Sequence, residues 1–122
     1  MSGGLSIHCV DVASGRVAAG LRVQVRTLGA DGQPGAAAIA EGVVGANGQL
    51  THPALMSDAI GAGGYEVSFR VGDFYRTQGA DVPSPAFLEV VVYRFHIADT
   101  RQHYHLPFKF TAWGFSLFRG GA

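Results

Sequence analysis

Alternation with a period of two is the feature that most narrows what this chain can become. In "LSIHCVDV", Leu5, Ile7 and Cys9 fall on one side and Ser6, His8 and Val10 on the other. "LRVQVRTL" sets Leu21, Val23 and Val25 against Arg22, Gln24 and Arg26, and "YEVSFRV" sets Tyr65, Val67, Phe69 and Val71 against Glu66, Ser68 and Arg70. Successive side chains of a strand point to opposite faces, so each run reads as a strand with one dry face and one polar face. Gly- and Pro-rich clusters at "LGADGQPGA", "GANGQL", "GAGG" and "DVPSPA" separate the runs, and short strands at such turn-limited spacing favour a β-sandwich. "FLEVVVYRFHI" is apolar on both faces, as a central or interface-bearing strand would be, with Arg94 and His96 sharing a face with Val90 and Val92. The helical stretch is short, around "VGDFYRTQGA".

A chain of 122 residues has room for one hydrophobic core rather than two, so residues 1–122 are expected to form a single domain. Charged residues are only 15% and hydrophobic ones 48%, which suggests surface hidden in an oligomer. Nine basic residues balance nine acidic ones, leaving no electrostatic footprint for nucleic acid or an anionic membrane. Cys9 is the one cysteine, so no internal disulfide forms and a reducing compartment fits best. "MSGGLSIHCV" has no basic segment leading into an apolar one, and no apolar run approaches a membrane span. A soluble cytoplasmic protein is the expectation.

The histidines pose the chemical question. In "HYHLPFKF" the same alternation puts His103, His105 and Lys109 on one face, and Tyr104, Leu106, Phe108 and Phe110 on the other. The apolar set fills the core, so the imidazoles face outward, as His8 does on its own strand. The three rings meet only if the first and this late strand are neighbours. Three readings fit them: ordinary surface histidines, a metal site of the His-x-His kind, and acid/base catalysis by groups that titrate near neutrality. A third metal ligand is not obvious, since Cys9 points away from His8. The tail "WGFSLFRGGA" places Arg119 among Trp113, Phe115, Leu117 and Phe118, apolar groups that need burial. That segment is expected to be docked, at a subunit interface, with Arg119 a partly buried cation facing an anion or a carbonyl.

These residues also carry a resemblance. "LSIHCVDVASGRVAAGLRVQV" resembles the opening L-S-x-H-V-L-D-x-x-x-G-x-P-A of the transthyretin-like 5-hydroxyisourate hydrolases, and "HYHLPFKFTAWGFSLFRGG" resembles their ending H-Y-H-V-P-L-L-L-S-P-Y-G-Y-S-T-Y-R-G-S. The likeness extends through "GANGQL", "YEVSFRVGDFY" and "LEVVVYRFHIADTRQHYH", nearly the whole chain. It implies a transthyretin-like sandwich of two four-stranded sheets with a short helix, in a homotetramer whose sites lie in clefts between dimers. It also implies hydrolysis of the cyclic amide of 5-hydroxyisourate, the product of urate oxidation, to 2-oxo-4-hydroxy-4-carboxy-5-ureidoimidazoline, with no metal or organic cofactor. By position, His8 and His105 would be catalytic with His103 assisting, and Arg119 would help hold the substrate.

The departures from the family pattern are as informative. Gln49, in "NGQL", stands where an arginine contacts the substrate. The ending Y-R-G-S becomes Phe118-Arg119-Gly120-Gly121, without the phenolic and seryl hydroxyls, and Ala122 displaces the terminal carboxylate. Trp113 and Phe115 likewise replace hydroxylated aromatics. A less polar substrate, such as an N-methylated hydroxyisourate derived from a methylxanthine, would account for these losses. Each methyl removes an N–H and the acidity it carries, and a buried partner left unpaired costs about 1–3 kcal/mol. The alternative is a non-catalytic ligand carrier of the same fold, in which His8, His103, His105 and Arg119 together would have no purpose.

Overall fold

The computed structural model of the protein describes residues 3–57 and 59–121; Ala122, expected to shift the terminal carboxylate, lies outside them. Eight strands form in chain order: β1 (Leu5–Asp11), β2 (Arg16–Val17), β3 (Arg22–Thr27), β4 (Ala40–Val43), β5 (Gly63–Phe69), β6 (Val91–Ile97), β7 (Tyr104–Phe110) and β8 (Phe115–Leu117). They make two four-stranded sheets, ordered β2-β1-β7-β8 and β4-β3-β5-β6. A helix, α1 (Val71–Thr77), and a single 3-10 turn at Pro53–Leu55 complete the described elements.

The alternating runs become strands with the expected inner faces. Leu5, Ile7, Cys9, Val23, Val25, Tyr65, Val67, Phe69, Leu106, Phe108 and Phe110 are all buried in one core between the sheets. Its centre is aromatic: the rings of Phe69 and Phe108 stack at 3.9 Å across the sandwich, and Phe108 stacks on Phe110 at 4.7 Å. Each such ring removed from water contributes about 1.5–3 kcal/mol, which locks the register that puts the intervening residues outside. Helix α1 closes one end by laying Phe74 and Tyr75 against Phe110. The Tyr75 hydroxyl donates to Asp11 Oδ1 at 2.6 Å, giving that buried carboxylate a partner.

Two expectations change. Of the two readings of the stretch at 87–97, the central strand is excluded and the interface-bearing one is not touched: β6 starts at Val91 and forms the edge of its sheet beside β5. Its outward row of Val92, Arg94 and His96 is exposed because no layer among the described residues packs on the outer face of this sheet. Trp113, Phe115 and Phe118 are 66%, 47% and 45% exposed, and only Leu117 of that apolar set is half-buried. The tail is docked through β8, which pairs with β7 from Phe110↔Phe115 to Phe108↔Leu117. As an edge strand of its own sheet, however, β8 has no strand beyond it among the described residues, and its aromatics stay exposed. Cys9 is buried, and burial pushes its thiol up to about 12, so it is an inert core residue.

Candidate active site

The decisive local fact is that β1 and β7, the most distant strands in sequence to pair, lie side by side and parallel, with Ser6 opposite His105 and His8 opposite Pro107. A parallel pair cannot come from a hairpin and needs a long crossover, so alternation within either strand carries no information about it. Its consequence is that the outward faces of "SIH" and "HYH" become one surface.

The imidazoles are connected through a hydroxyl. Ser6 Oγ lies 2.6 Å from His105 Nδ1 and 2.8 Å from His103 Nε2, and His103 Nδ1 lies 2.8 Å from the carbonyl oxygen of Gly3. Ser6, His8, His103 and His105 are all half-buried. The pKa of His105 is lowered, first by desolvation and then by the charges of His8 and His103. It is thereby biased toward the neutral form a base requires. Among the described residues no group of three or more His, Cys, Asp or Glu side chains is placed to hold a metal ion; Ser6 fills the space between two of the rings instead.

The turn carrying Gln49 is fastened to the middle of β1. Gln49 bridges to His8 in antiparallel fashion, Cys9 N donates to Gly48 O at 2.8 Å, and Leu50 N donates to Ile7 O at 3.2 Å. Gly48 has φ of 83°, which suits glycine in the N-G turn. A Cβ there would stand 2.7 Å from His8 Nε2 and 2.8 Å from Val17 Cγ1, so the absence of a side chain is what gives His8 its place. Gln49 itself is exposed. With Ser6 and His103 it lines a cavity of about 350 Å³ whose apolar wall includes Leu5, Leu50, Leu55 and Met56.

The terminal segment folds back over β7. Gly120 N donates to His105 O at 2.7 Å, and a Cβ at Gly120 would meet His105 Cδ2 at 2.8 Å. The segment therefore abuts the imidazole and leaves no room for a side chain at that position. Arg119 is exposed rather than partly buried. It does face a carbonyl: its Nη2 donates to His103 O at 3.3 Å and to Gln102 Oε1 at 3.0 Å, while its guanidinium carbon sits 3.9 Å over the Tyr104 ring. The cation rests on the Tyr104 ring on one side only and its neighbour Phe118 is itself exposed, so its outer side stays in solvent. Phe118 and Gly121 are exposed beside it.

The structure thus brings His8, His103 and His105 onto one surface with Gln49 at its border, and sets Arg119 against the backbone of His103. Sequence reasoning missed Ser6, Gly48 and the Gly3 carbonyl. Ser6 shares a face with His8 by simple alternation, and "NG" is a turn signal, but only the β1–β7 register gives either a role.

The HIUase/Transthyretin family model matches residues 5–120. The chain belongs to this family. It is 37% identical over 119 residues to 5-hydroxyisourate hydrolase 2 of Rhizobium meliloti (strain 1021), covering 98% of this chain and 97% of that one. It is 38% identical over 123 residues to 5-hydroxyisourate hydrolase of Deinococcus radiodurans, covering 98% and 99%. Among solved structures it superposes on (S)-allantoin synthase with a TM-score of 0.86 and 30% identity, covering 98% of this chain but 44% of that one. Membership accounts for the sandwich of two four-stranded sheets with one short helix.

Proposed function

We propose that this chain hydrolyses the cyclic amide ring of 5-hydroxyisourate or an N-methylated relative of it, within purine degradation. The observation that carries the reading is the hydrogen-bonded set His103–Ser6–His105, which shares its surface with His8 and is bordered by the Gln49 turn. His105, whose pKa is lowered, acts as the base that removes a proton from water, and His8 helps orient that water. The hydroxide adds to the ring carbonyl, the C–N bond of the tetrahedral intermediate breaks, and the departing nitrogen takes up a proton. Arg119 steadies the anionic oxygen from the edge of the site, and Phe118 and Gly121 shape the substrate's approach.

Gln49 favours the N-methylated substrate. A neutral amide offers both N–H donors and a carbonyl acceptor, and it leaves no unpaired cation when the ring edge lacks an acidic N–H. The apolar wall of Leu5, Leu50, Leu55 and Met56 beside Ser6 and His103 suits a methylated edge equally well. We place the active protein in the cytoplasm as a homotetramer, in which Trp113, Phe115 and Phe118, exposed on the single chain, would be covered.

The test is a spectrophotometric assay of freshly generated 5-hydroxyisourate and its N-methylated congener side by side. Acceleration above spontaneous decay is expected for both, with the methylated ring preferred, and Gln49→Arg is expected to move the preference toward the unmethylated ring. Saturable binding of either compound without acceleration would replace the hydrolase with a ligand carrier.

A further inference from the structure

The chain of hydrogen bonds through Ser6 has a direction, and it can be read from one fixed end. A backbone carbonyl only accepts, so the contact between His103 Nδ1 and Gly3 O requires the proton on Nδ1. A neutral His103 then presents a lone pair at Nε2, and Ser6 Oγ, 2.8 Å away, donates to it. Having used its proton there, Ser6 Oγ accepts from His105 Nδ1 at 2.6 Å. His105 is left with its lone pair on Nε2, the nitrogen for which no protein partner occurs among the described residues.

We propose that Ser6 is a proton relay between His105 and His103 that sets the tautomer of His105 and carries its proton away during turnover. The proposal rests on the hydrolase reading for its catalytic part and on the geometry alone for the tautomer. When His105 Nε2 takes a proton from the attacking water, the new C–O bond forms at the ring carbonyl. The proton on His105 Nδ1 then passes to Ser6 Oγ as the Ser6 proton passes to His103 Nε2. His103 is now the cation, with both N–H groups satisfied by Ser6 Oγ and Gly3 O. His105 is again neutral but protonated on Nε2, the form that donates. As the C–N bond breaks, that proton goes to the departing nitrogen, and the reverse transfer through Ser6 restores the starting state. One water is consumed and no proton is gained or lost.

The surroundings set the balance of a displaced charge. His8 lies opposite Pro107, two residues along from His105, so moving the positive charge to His103 takes it further from the His8 ring. Gln49 on the turn is neutral and Lys109 lies further along β7, while Arg119, which touches the His103 carbonyl from the terminal segment, opposes the charge there but is exposed and screened by water. Ser6 is thus a positioning residue, acting through the two histidines.

The experiment joins imidazole 15N NMR of the unliganded protein, at a pH where His103 and His105 are both neutral, with steady-state kinetics on the two hydroxyisourates. Wild type and Ser6→Thr are expected to show His105 protonated on Nδ1, and Ser6→Ala to lose that preference. Ser6→Ala is expected to lower kcat about tenfold or more with KM changed less than about twofold, and Ser6→Thr to restore it. Wild-type protein that opens the ring while His105 is protonated on Nε2 overturns the relay and leaves the hydrolase reading intact. An Nδ1-protonated His105 in protein that opens neither ring overturns the hydrolase reading while supporting the tautomer assignment. A Ser6→Ala variant with wild-type kcat and tautomer also overturns the relay.

Discussion

The two sheets use the same device on their outer faces and obtain opposite results. On the sheet of β3, β5 and β6 the register aligns Arg26, Glu66 and Arg94 in one cross-strand row. Arg94 Nε donates to Glu66 Oε1 at 2.9 Å, and Arg26 Nη1 donates to Gln24 Oε1 at 2.8 Å. On the other sheet the register aligns Ser6 with His105. Each face also has a glycine turn beside it: Gly32 accepts from Arg94 Nη1 through its carbonyl at 3.0 Å, and Gly48 lies against His8. The first face ties its row of charges to one ion pair and to neutral acceptors, and that row is closed. The second ends in an imidazole nitrogen, His105 Nε2, that has no protein partner among the described residues, and such an unspent group is what chemistry needs.

The sharpest way to break this comparison is to remove one outward side chain from each face. His105→Ala is expected to lower kcat by roughly 10²-fold or more, as the loss of a general base does, with melting temperature changed little because the ring is only half-buried. Gln24→Ala, the same kind of truncation on the other face, is expected to leave kcat unchanged. Equal losses from the two would mean that the imidazole face holds no privileged position.

The turns give the next largest effect. Gly48 and Gly32 have nearly the same backbone, with φ of 83° and 78°. An Ala at either is strained by about 1–2 kcal/mol. At Gly32 the added methyl meets nothing within 4 Å, whereas at Gly48 it would sit 2.7 Å from His8 Nε2. Gly48→Ala is therefore expected to lower kcat about tenfold, since small misplacements of a reacting group are costly, and Gly32→Ala only to lower the melting temperature. Comparing kcat and thermal unfolding of the pair separates strain from misplacement of His8.

How much of this was legible beforehand follows from the same two faces. Alternation assigned Val23, Val25, Val67 and Phe69 to the core and Arg26, Glu66 and Arg94 to the outside, because period-two burial is a local property of each strand. It did the same for His8, His103 and His105. What it could not supply was the parallel register of β1 on β7, which joins residues about a hundred positions apart and makes a bridge of Ser6. Nor could it supply the edge positions of β6 and β8, because apolar residues on both faces of a run look alike whether a neighbouring strand or another molecule covers them. The family resemblance named His8 and His105 from motif position, but motif position says nothing of the hydroxyl between His105 and His103.

Acid should separate the faces more gently. Because the pKa of His105 is lowered in the folded protein, the acid limb of its kcat/KM profile is expected below the ~6.5 of a free imidazole. The unfolded chain binds a proton there before the folded one does. This residue's contribution to stability is therefore complete above the unfolded value and is lost as pH falls through the folded one. His105→Asn is expected to remove both the limb and that part of the pH dependence of unfolding. A limb above the free value would mean that neither desolvation nor the charges of the neighbouring histidines lower the pKa of His105.

The smallest effect belongs to the closed face. Glu66 is 13% exposed at its side chain and Arg94 46%, so the pair is screened on one side by water. An ion pair of this kind contributes about 0.2–1 kcal/mol, and Arg94 also holds the Gly32 carbonyl, a bond that Glu66→Gln would leave in place. Glu66→Gln is expected to destabilise the protein by about 0.5 kcal/mol at low salt and by less at 1 M salt, while Arg94→Ala, which loses both contacts, costs somewhat more. Neither should alter kcat, because among the described residues no hydrogen bond runs from this row to the other sheet. A change in turnover from either substitution would show that the two faces are coupled through the aromatic core at Phe69 and Phe108, and the division of the sandwich into a structural and a chemical face would then fail.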